Sequence, residues 1–388
     1  MSAPQRILIL RHGYYPQDPR VRREAEALVA AGHTVQIICL RDRGEVAHEV
    51  VAGVAVTRLP LGHRRASMGR YVGEYGAFFV AAASLAGWRH LRRRFDVVQV
   101  NTMPDALVFA ALIPKMTGAR IVLDLHELMP ELACSKFGVG PAHPLPRFLA
   151  AVEQGAVRFA DRCLAVSGPC LDRYVARGAA RCKFTVVMNS PDPTLFAPPK
   201  GPIVVPAGGA PCLISHGTLV ERHGFDLLLH ALAELPGVQL AILGDGESRP
   251  RLQALAVQLG VAERVTFAGV VPLSQVPARI AGATLGVIAN RSDPFMDLVL
   301  PTKLLEYVAM GVPAVVARTP AVAAHFGADE VGYFAAGDAA DLARTVRALL
   351  ADPHRRSAMA AKAKAALDRH WAWPIMAERY VRVVTGGA

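Results

Sequence analysis

Lys303 and Glu306 stand three residues apart in an otherwise apolar segment, Pro301-Thr302-Lys303-Leu304-Leu305-Glu306-Tyr307-Val308-Ala309-Met310-Gly311. That spacing puts an ammonium and a carboxylate on neighbouring positions of one helix face. At a helix start, unpaired N–H groups and the positive end of the dipole favour phosphate. A carboxylate close by can accept two hydrogen bonds from a vicinal diol. Phosphate plus diol describes a nucleotide. The same spacing also fits a solvated Lys–Glu pair on an amphipathic helix. A second candidate pair is Asp124 and His126, two apart at the end of the apolar run 120–125. Side chains two apart on a strand share a face, and ligands bind at the carboxyl ends of parallel strands. The pair reads either as part of a binding site or as a structural contact that fixes the loop. A zinc site is disfavoured, because His126-Glu127-x-x-x-Glu131 lacks the second histidine of the helical motif.

The elements that must position these groups follow from pattern. Pro301 suits the first helical position and Gly311 the place just past the end, while Leu304, Leu305, Val308 and Ala309 recur at helical spacing and predict a buried face. Apolar runs predict strands at 6–11, 35–40, 54–59, 96–100, 120–125, 162–166 and 183–188, and again at 212–215, 239–243, 264–268, 284–289 and 314–317. Between most of them lie helical patterns, such as the one opened by Asp18 as N-cap with Pro19 behind it and closed by Gly32. Alternation of this kind in both halves predicts doubly wound α/β domains. The Gly- and Pro-rich stretch 198–211 reads as the linker. Gly244-Asp245-Gly246 has Arg249 where a dinucleotide fingerprint wants a third glycine, which disfavours a nicotinamide enzyme.

A length of 388 residues accommodates two domains, and 52% hydrophobic against 19% charged residues excludes wholesale disorder. The net charge of +11 is uneven: residues 1–200 carry 26 Lys and Arg against 16 Asp and Glu, and the remainder 17 against 16. A basic first half points to an anionic partner, and no aromatic–basic motif supports nucleic acid. Six cysteines without C-x-x-C spacing read as reduced thiols of a cytoplasmic protein. No signal-peptide core precedes the first strand. The longest apolar run, 76–88, is shorter than the ~20 residues a bilayer span needs. Bracketed by His63, Arg64, Arg65 and Arg70 on one side and Arg89 to Arg94 on the other, it fits a membrane-interface helix or a core helix with snorkelling arginines.

The segment 301–307, followed by Met310-Gly311-Val312-Pro313 and the run 314–317, resembles the donor-site helix of glycosyltransferase family 4. The resemblance extends over nearly the whole chain, through Asp18-Pro19-Arg20-Val21-Arg22-Arg23-Glu24-Ala25, Ala31-Gly32-His33-Thr34-Val35 and Asn189-Ser190-Pro191-Asp192 to Phe196. It implies an α/β protein of the GT-B class, two Rossmann-like doubly wound domains facing across a cleft: 1–197 on the acceptor side, the linker 198–211, 212–370 as donor domain, and 371–388 as a helix returning to the first domain. It also implies retaining transfer of a sugar from a nucleoside-diphosphate sugar to an acceptor hydroxyl, without cofactor or metal, in cell-surface glycan or glycosylated-metabolite biosynthesis. His126 would be the catalytic-site histidine. The donor would meet Gly13, Gly217, Thr218, Arg222, Asp297, Leu298, Leu300, Thr302, Lys303 and Glu306; Asn101, Asp124 and Glu127 would line the acceptor side. An anionic or lipid-linked acceptor, and peripheral contact of 63–94 with an anionic inner membrane face, fit the basic first half.

Departures from the family pattern sharpen these expectations. Leu298, with Asp297 beside it, stands where the family has a glutamate, so backbone N–H groups of 298–300 are expected to meet the hexose. Thr218 and His223 occupy the usual arginine and lysine places, leaving Arg222 as the expected cation. The alternatives are a sugar-nucleotide epimerase of the same fold, or an inactive relative that binds membrane or nucleic acid.

Overall fold

The computed structural model describes residues 3–61, 68–198 and 209–387. Most of the predicted linker, 199–208, and the basic residues 63–67 lie outside them. The chain divides into two units, 1–189 with 374–388, and 190–373.

The first unit is built on an eight-stranded sheet. Its strands are Arg6–Tyr14 (β1), Thr34–Leu40 (β2), His48–Val51 (β3), Val54–Leu59 (β4), Val97–Asn101 (β5), Arg120–Leu125 (β6), Arg162–Ala165 (β7) and Phe184–Val186 (β8). Their order is β3-β4-β2-β1-β5-β6-β7-β8, parallel except for the β3–β4 pair. Continuous apolar strands such as Ile7-Leu8-Ile9-Leu10, fully buried, are what a parallel sheet covered on both faces requires. The second unit holds a six-stranded parallel sheet of Cys212–His216 (β9), Gln239–Leu243 (β10), Val265–Gly269 (β11), Leu285–Ile288 (β12), Ala314–Ala317 (β13) and Gly332–Phe334 (β14), in the order β11-β10-β9-β12-β13-β14. Both sheets reverse direction once, beside β1 and β5 in the first and beside β9 and β12 in the second. The crevice outside the carboxyl ends of such neighbours is where an open α/β sheet holds its ligand.

Three local differences from the sequence expectations have physical reasons. β1 runs on to Tyr14 with a register irregularity after Leu10, so Gly13 ends a strand rather than sitting in a loop. Pro301, with ψ 124°, is the N-cap, and the helix begins at Thr302. The segment after Pro104 starts as a 3-10 helix, Asp105–Ala111, before continuing as the α-helix Leu112–Met116. The helix Trp373–Thr385 packs within the first unit, where the Tyr380 hydroxyl donates to Gln99 Oε1 at 2.6 Å.

Asp105 is almost fully buried, and burial and then the nearby Glu153 push its carboxyl up to about 8, with Arg177 opposing. Arg177 is engaged elsewhere, donating to Glu153 Oε2 at 2.8 Å and to Glu131. The native state therefore keeps a proton on Asp105 that the unfolded chain releases near pH 4. Between about pH 4 and pH 8 the native state binds more protons, so this contribution is full in acid and is lost as pH rises through that window. The sign is negative, with a limiting slope of about 1.4 kcal/mol per pH unit. Urea unfolding at pH 5, 6, 7 and 8 should show the parent chain losing stability relative to Asp105→Asn as pH rises. Parallel curves would contradict a native protonated Asp105.

Candidate functional site

In the first unit the register itself aligns polar groups. Arg11 pairs with Asn101 across β1 and β5, and Asn101 with Asp124 across β5 and β6, giving one row at the carboxyl edge. Asp124 is fully buried, a position a carboxylate holds only when paired and hydrogen-bonded. Arg20 grips it in fork geometry, with Nη2 on Oδ1 at 2.7 Å and Nε on Oδ2 at 3.0 Å. Asn101 Nδ2 donates to Oδ2 at 2.8 Å, and His126 Nε2 lies 2.7 Å from the same oxygen. Burial alone would raise the Asp124 carboxyl, but Arg20 and His126 hold it far below the usual range. Arg20 is placed because Asp18 caps its helix, accepting from the N–H groups of Arg20 and Val21 at 3.1 and 3.3 Å.

The same guanidinium serves a second buried carboxylate. Glu24, one turn on, lies 3.1 Å from Arg20 Nε and accepts from Gln99 Nε2 at 2.9 Å. Burial and the charge on Asp124 raise its pKa. Two carboxylates sharing one arginine cannot both ionise freely, so Asp124 keeps the charge and Glu24 the proton. His126 is shifted down, chiefly by burial and further by Arg11 and Arg20 against the pull of Asp124. It is neutral at pH 7, with Nε2–H directed at Asp124 and Nδ1 carrying the lone pair. Thr102 Oγ1 accepts from the His126 backbone N–H at 3.0 Å. Glu127 follows on the same loop and is half-buried. Gly13 lies beside Arg11, where a methyl group would come within 3.0 Å of Nε, and Arg11 in turn bridges to Asp18 at 2.9 Å.

In the second unit the helix Thr302–Ala309 starts without a side-chain cap. Tyr307 lies flat against Gly286 of β12, where an added Cβ would come within 2.3 Å of its ring. This close approach fixes the rotation of the helix and so aims Lys303 and Glu306. Lys303 Nζ reaches the β9 loop, 3.6 Å from where a Cβ on Gly217 would be, and lies 5.6 Å from the Phe225 ring centroid. Gly217 has φ 128°, and its carbonyl lies against Gly244, where an added Cβ would collide with it. Glu306 Oε2 lies 2.6 Å from His216 Nε2, and His216 Nδ1 lies 2.9 Å from the Tyr307 hydroxyl.

The cations here differ in kind. Burial, then Lys303 and Arg222, drive His223 down to about 4, and its Nδ1–H donates to the Thr218 carbonyl at 2.7 Å. His223 is therefore a neutral spacer where the family pattern has a lysine. Arg222 is half-buried and its Nε has no hydrogen-bond partner among the described residues. The Asp297 carboxylate accepts from Ser292 Oγ at 2.8 and 3.0 Å. The N–H groups of Leu298 and Val299, expected to meet a hexose, instead close a turn onto Phe295 and Met296. The Leu300 N–H has no partner among the described residues.

Burial lowers Lys303 to about 8, with Glu306 pulling the other way. A bound anion raises that value again, so anion affinity is full below pH 8 and falls as pH rises above it. Calorimetric titration of a nucleoside diphosphate from pH 7 to pH 9.5 should show this decline in the parent chain and a flat profile in Lys303→Arg. The same decline in both would remove Lys303 from the anion site.

Of the side chains gathered in these two clusters, sequence reasoning named Asp124, His126, Asn101, Lys303 and Glu306 as site candidates and did not name Arg20, Glu24, Gln99, Tyr380, His216 and Tyr307 as such. Among the described residues no three His, Cys, Asp or Glu side chains gather into a metal-binding set, and no helix is long and apolar enough to cross a membrane.

Two family models match the chain, a glycosyl transferase 4-like domain over residues 17–190 and glycosyl transferases group 1 over 203–366. The lipopolysaccharide core biosynthesis glycosyltransferase LpsE of Rhizobium meliloti is 33% identical over 178 residues, a match spanning 45% of this chain and half of LpsE. The 2-deoxystreptamine glucosyltransferase of Streptomyces kanamyceticus is 27% identical over 371 residues, 87% of this chain and 84% of its own. Among solved structures, Anabaena HepE in complex with UDP-glucose superposes with a TM-score of 0.75 at 16% identity, covering 98% of this chain and all of HepE.

Proposed function

Because this chain belongs to the family 4-like glycosyltransferases, we propose that it moves a sugar from a nucleoside-diphosphate sugar to an acceptor hydroxyl with retention of anomeric configuration. The observation that carries this reading is the uncapped helix start at Thr302, with Lys303 laid against the Gly217 loop and Glu306 one turn further on. Lys303, Arg222 and the backbone N–H at Thr302 stabilise charge on the departing diphosphate, where each contact to developing charge contributes a few kcal/mol. This arrangement needs no resident metal and no cofactor. Glu306 takes the ribose diol, exchanging one of its oxygens from His216 to the ligand. His126 Nδ1 accepts from a donor or acceptor hydroxyl and is held in that tautomer by Asp124. Asp297 and the Leu300 N–H stand in for the family's absent glutamate toward the hexose.

An anionic or lipid-linked acceptor is supported by the basic first half and by LpsE, named for lipopolysaccharide core biosynthesis. Such an acceptor would be met at the inner membrane face, with residues of 68–94 in contact. Asn101, Asp124 and Glu127 are the acceptor-side groups. The test is incubation with UDP-, GDP- and ADP-sugars, following release of the nucleoside diphosphate and the anomer of the free or transferred sugar by NMR. Release from one donor class with the anomer conserved supports the reading. Epimerised sugar nucleotide without an acceptor would replace it by the epimerase, and no turnover on any donor by the inactive relative.

A further inference from the structure

The basic excess of the first unit is not spent at the carboxyl edge described above. Five residues from Arg11, roughly 16 Å along the strand, Arg6 opens β1 at the opposite edge of the sheet. There the last turn of the helix Met68–Arg92 meets β1, β2 and β4 around a cavity of about 570 Å³. Arg6, Arg89, Arg92 and Arg93 line it together with Trp88 and His48. Arg6 Nη1 donates to the carbonyls of Arg93 and Arg94 at 2.7 and 2.6 Å, which caps the helix and draws its own charge up to theirs. Arg89 is anchored by Thr57 Oγ1 at 2.9 Å, and the Arg92 guanidinium stacks 4.0 Å above the Trp88 ring.

Four guanidiniums held this close repel one another, and no carboxylate among the described residues takes up the charge at ion-pairing distance. Glu49, which also lines the cavity, is paired with Arg58 at 2.5 Å. Asp96 accepts from the Arg6 backbone N–H at 2.7 Å. Asp96 offsets part of the Arg6 charge, against the repulsion from Arg93; the cations that line the cavity still outnumber the carboxylates, an excess that an entering anion relieves, and guanidinium forks match phosphate geometry. The rim adds a second property. Trp88 is 51%, Leu91 66% and Val50 71% exposed, so apolar surface borders the cations.

We propose that this cavity binds a phosphate ester or other phosphate-class anion, a ligand site separate from sugar transfer. Arg89 and Arg6, each hydrogen-bonded within the fold, form its fixed floor. Arg92 and Arg93 are exposed and close over the ligand, with Trp88 reporting the event through its stacked arginine. The ligand's source is either a soluble phosphate compound or the headgroup of an anionic phospholipid whose chains meet Leu91 and Val50. Nothing in the site depends on the nucleotide reading, since every residue named lies away from Lys303 and Glu306 in the chain and within the first unit.

Two arms separate the sources. Pyrophosphate is titrated against tryptophan fluorescence in the presence of saturating nucleoside diphosphate, using the parent chain, Trp88→Phe, Arg92→Ser/Arg93→Ser and, as a charge-matched control, Arg344→Ser/Arg355→Ser. Phosphatidylcholine vesicles with and without 30% phosphatidylglycerol are sedimented with the same proteins. The expected result is a saturable signal absent from Trp88→Phe and a roughly twenty-fold weaker affinity in Arg92→Ser/Arg93→Ser, each cation near an anionic surface being worth roughly four- to fivefold. Retention on anionic vesicles, lost in the same variant, identifies a lipid headgroup; a fluorescence response without vesicle binding identifies a soluble phosphate. Absence of both, or equal losses in the control pair, overturns the site whatever the outcome of the sugar-transfer assay.

Discussion

Glu306→Ala is expected to weaken nucleoside diphosphate binding by about 10²- to 10⁴-fold. Two hydrogen bonds from a diol to a carboxylate are charge-assisted, each contributing ~1.5–3 kcal/mol, and each 1.4 kcal/mol is about tenfold in affinity. The loss has a second part. Glu306 raises the Lys303 pKa, so removing the carboxylate lets burial lower the ammonium further and weakens its grip on phosphate as pH approaches 8. The defect should therefore deepen between pH 7 and pH 8. His216, left facing a void where it now meets Glu306 at 2.6 Å, supplies the structural control: if His216→Ala reproduced the defect fully, Glu306 would matter only as a packing partner. The sharper control is the ligand. Against a 2′,3′-dideoxynucleoside diphosphate the parent chain should lose its advantage over Glu306→Ala, leaving only the pH-dependent part. A constant gap for both ligands would mean that the carboxylate never touches the ribose.

Arg20→Leu should be the most destabilising single change in the first unit. It strands Asp124 and Glu24, both fully buried, and breaking one side of such a pair costs about 3–5 kcal/mol. In the parent chain the Asp124 carboxyl is held below its ordinary value, so its stabilisation is present above about pH 4 and is lost only as pH falls through the depressed value. Without Arg20, burial dominates and that carboxyl moves up, carrying the stability loss toward neutral pH. Urea unfolding of the first-unit transition at pH 5 and pH 8 should show a larger deficit at pH 8. Arg20→Lys should also fail to restore the parent value, because one ammonium cannot make the two parallel contacts of the fork. A deficit below 1 kcal/mol in both variants would show that water or a neighbour compensates the buried Asp124 carboxylate.

The contrast between what was readable and what was not follows from distance along the chain. Strands such as Arg120–Leu125 and the cap at Asp18 are written in local patterns, and the structure has them where the sequence puts them. Lys303 and Glu306 were legible because one helix carries both. Arg20 and Glu24 were not, because an arginine and a glutamate four apart read as a solvated pair; only partners on β5 and β6, 75 to 104 residues away, turn that face inward. His216 ends an apolar strand and meets Glu306 across ninety residues, with no spacing to announce it. The neutral state of His223 is likewise a product of burial and of two cations that folding brings to it; the sequence showed only that a histidine stands in the family's lysine place. The Leu298–Leu300 segment was read as open backbone because a turn onto Phe295 leaves no mark in composition.

The helix Trp373–Thr385 has a consequence for synthesis. Residues 190–373 are continuous and separate the two stretches of the first unit, so 374–388 reach its sheet only after the whole of the second unit has been translated. Most of the first unit is made earlier, yet the Tyr380 hydroxyl that meets Gln99 arrives 281 residues after it. Its N-terminal portion must therefore wait, sheet formed and one flank uncovered, through the translation of nearly two hundred further codons. A nascent chain stalled before Trp373 would present that uncovered flank to chaperones.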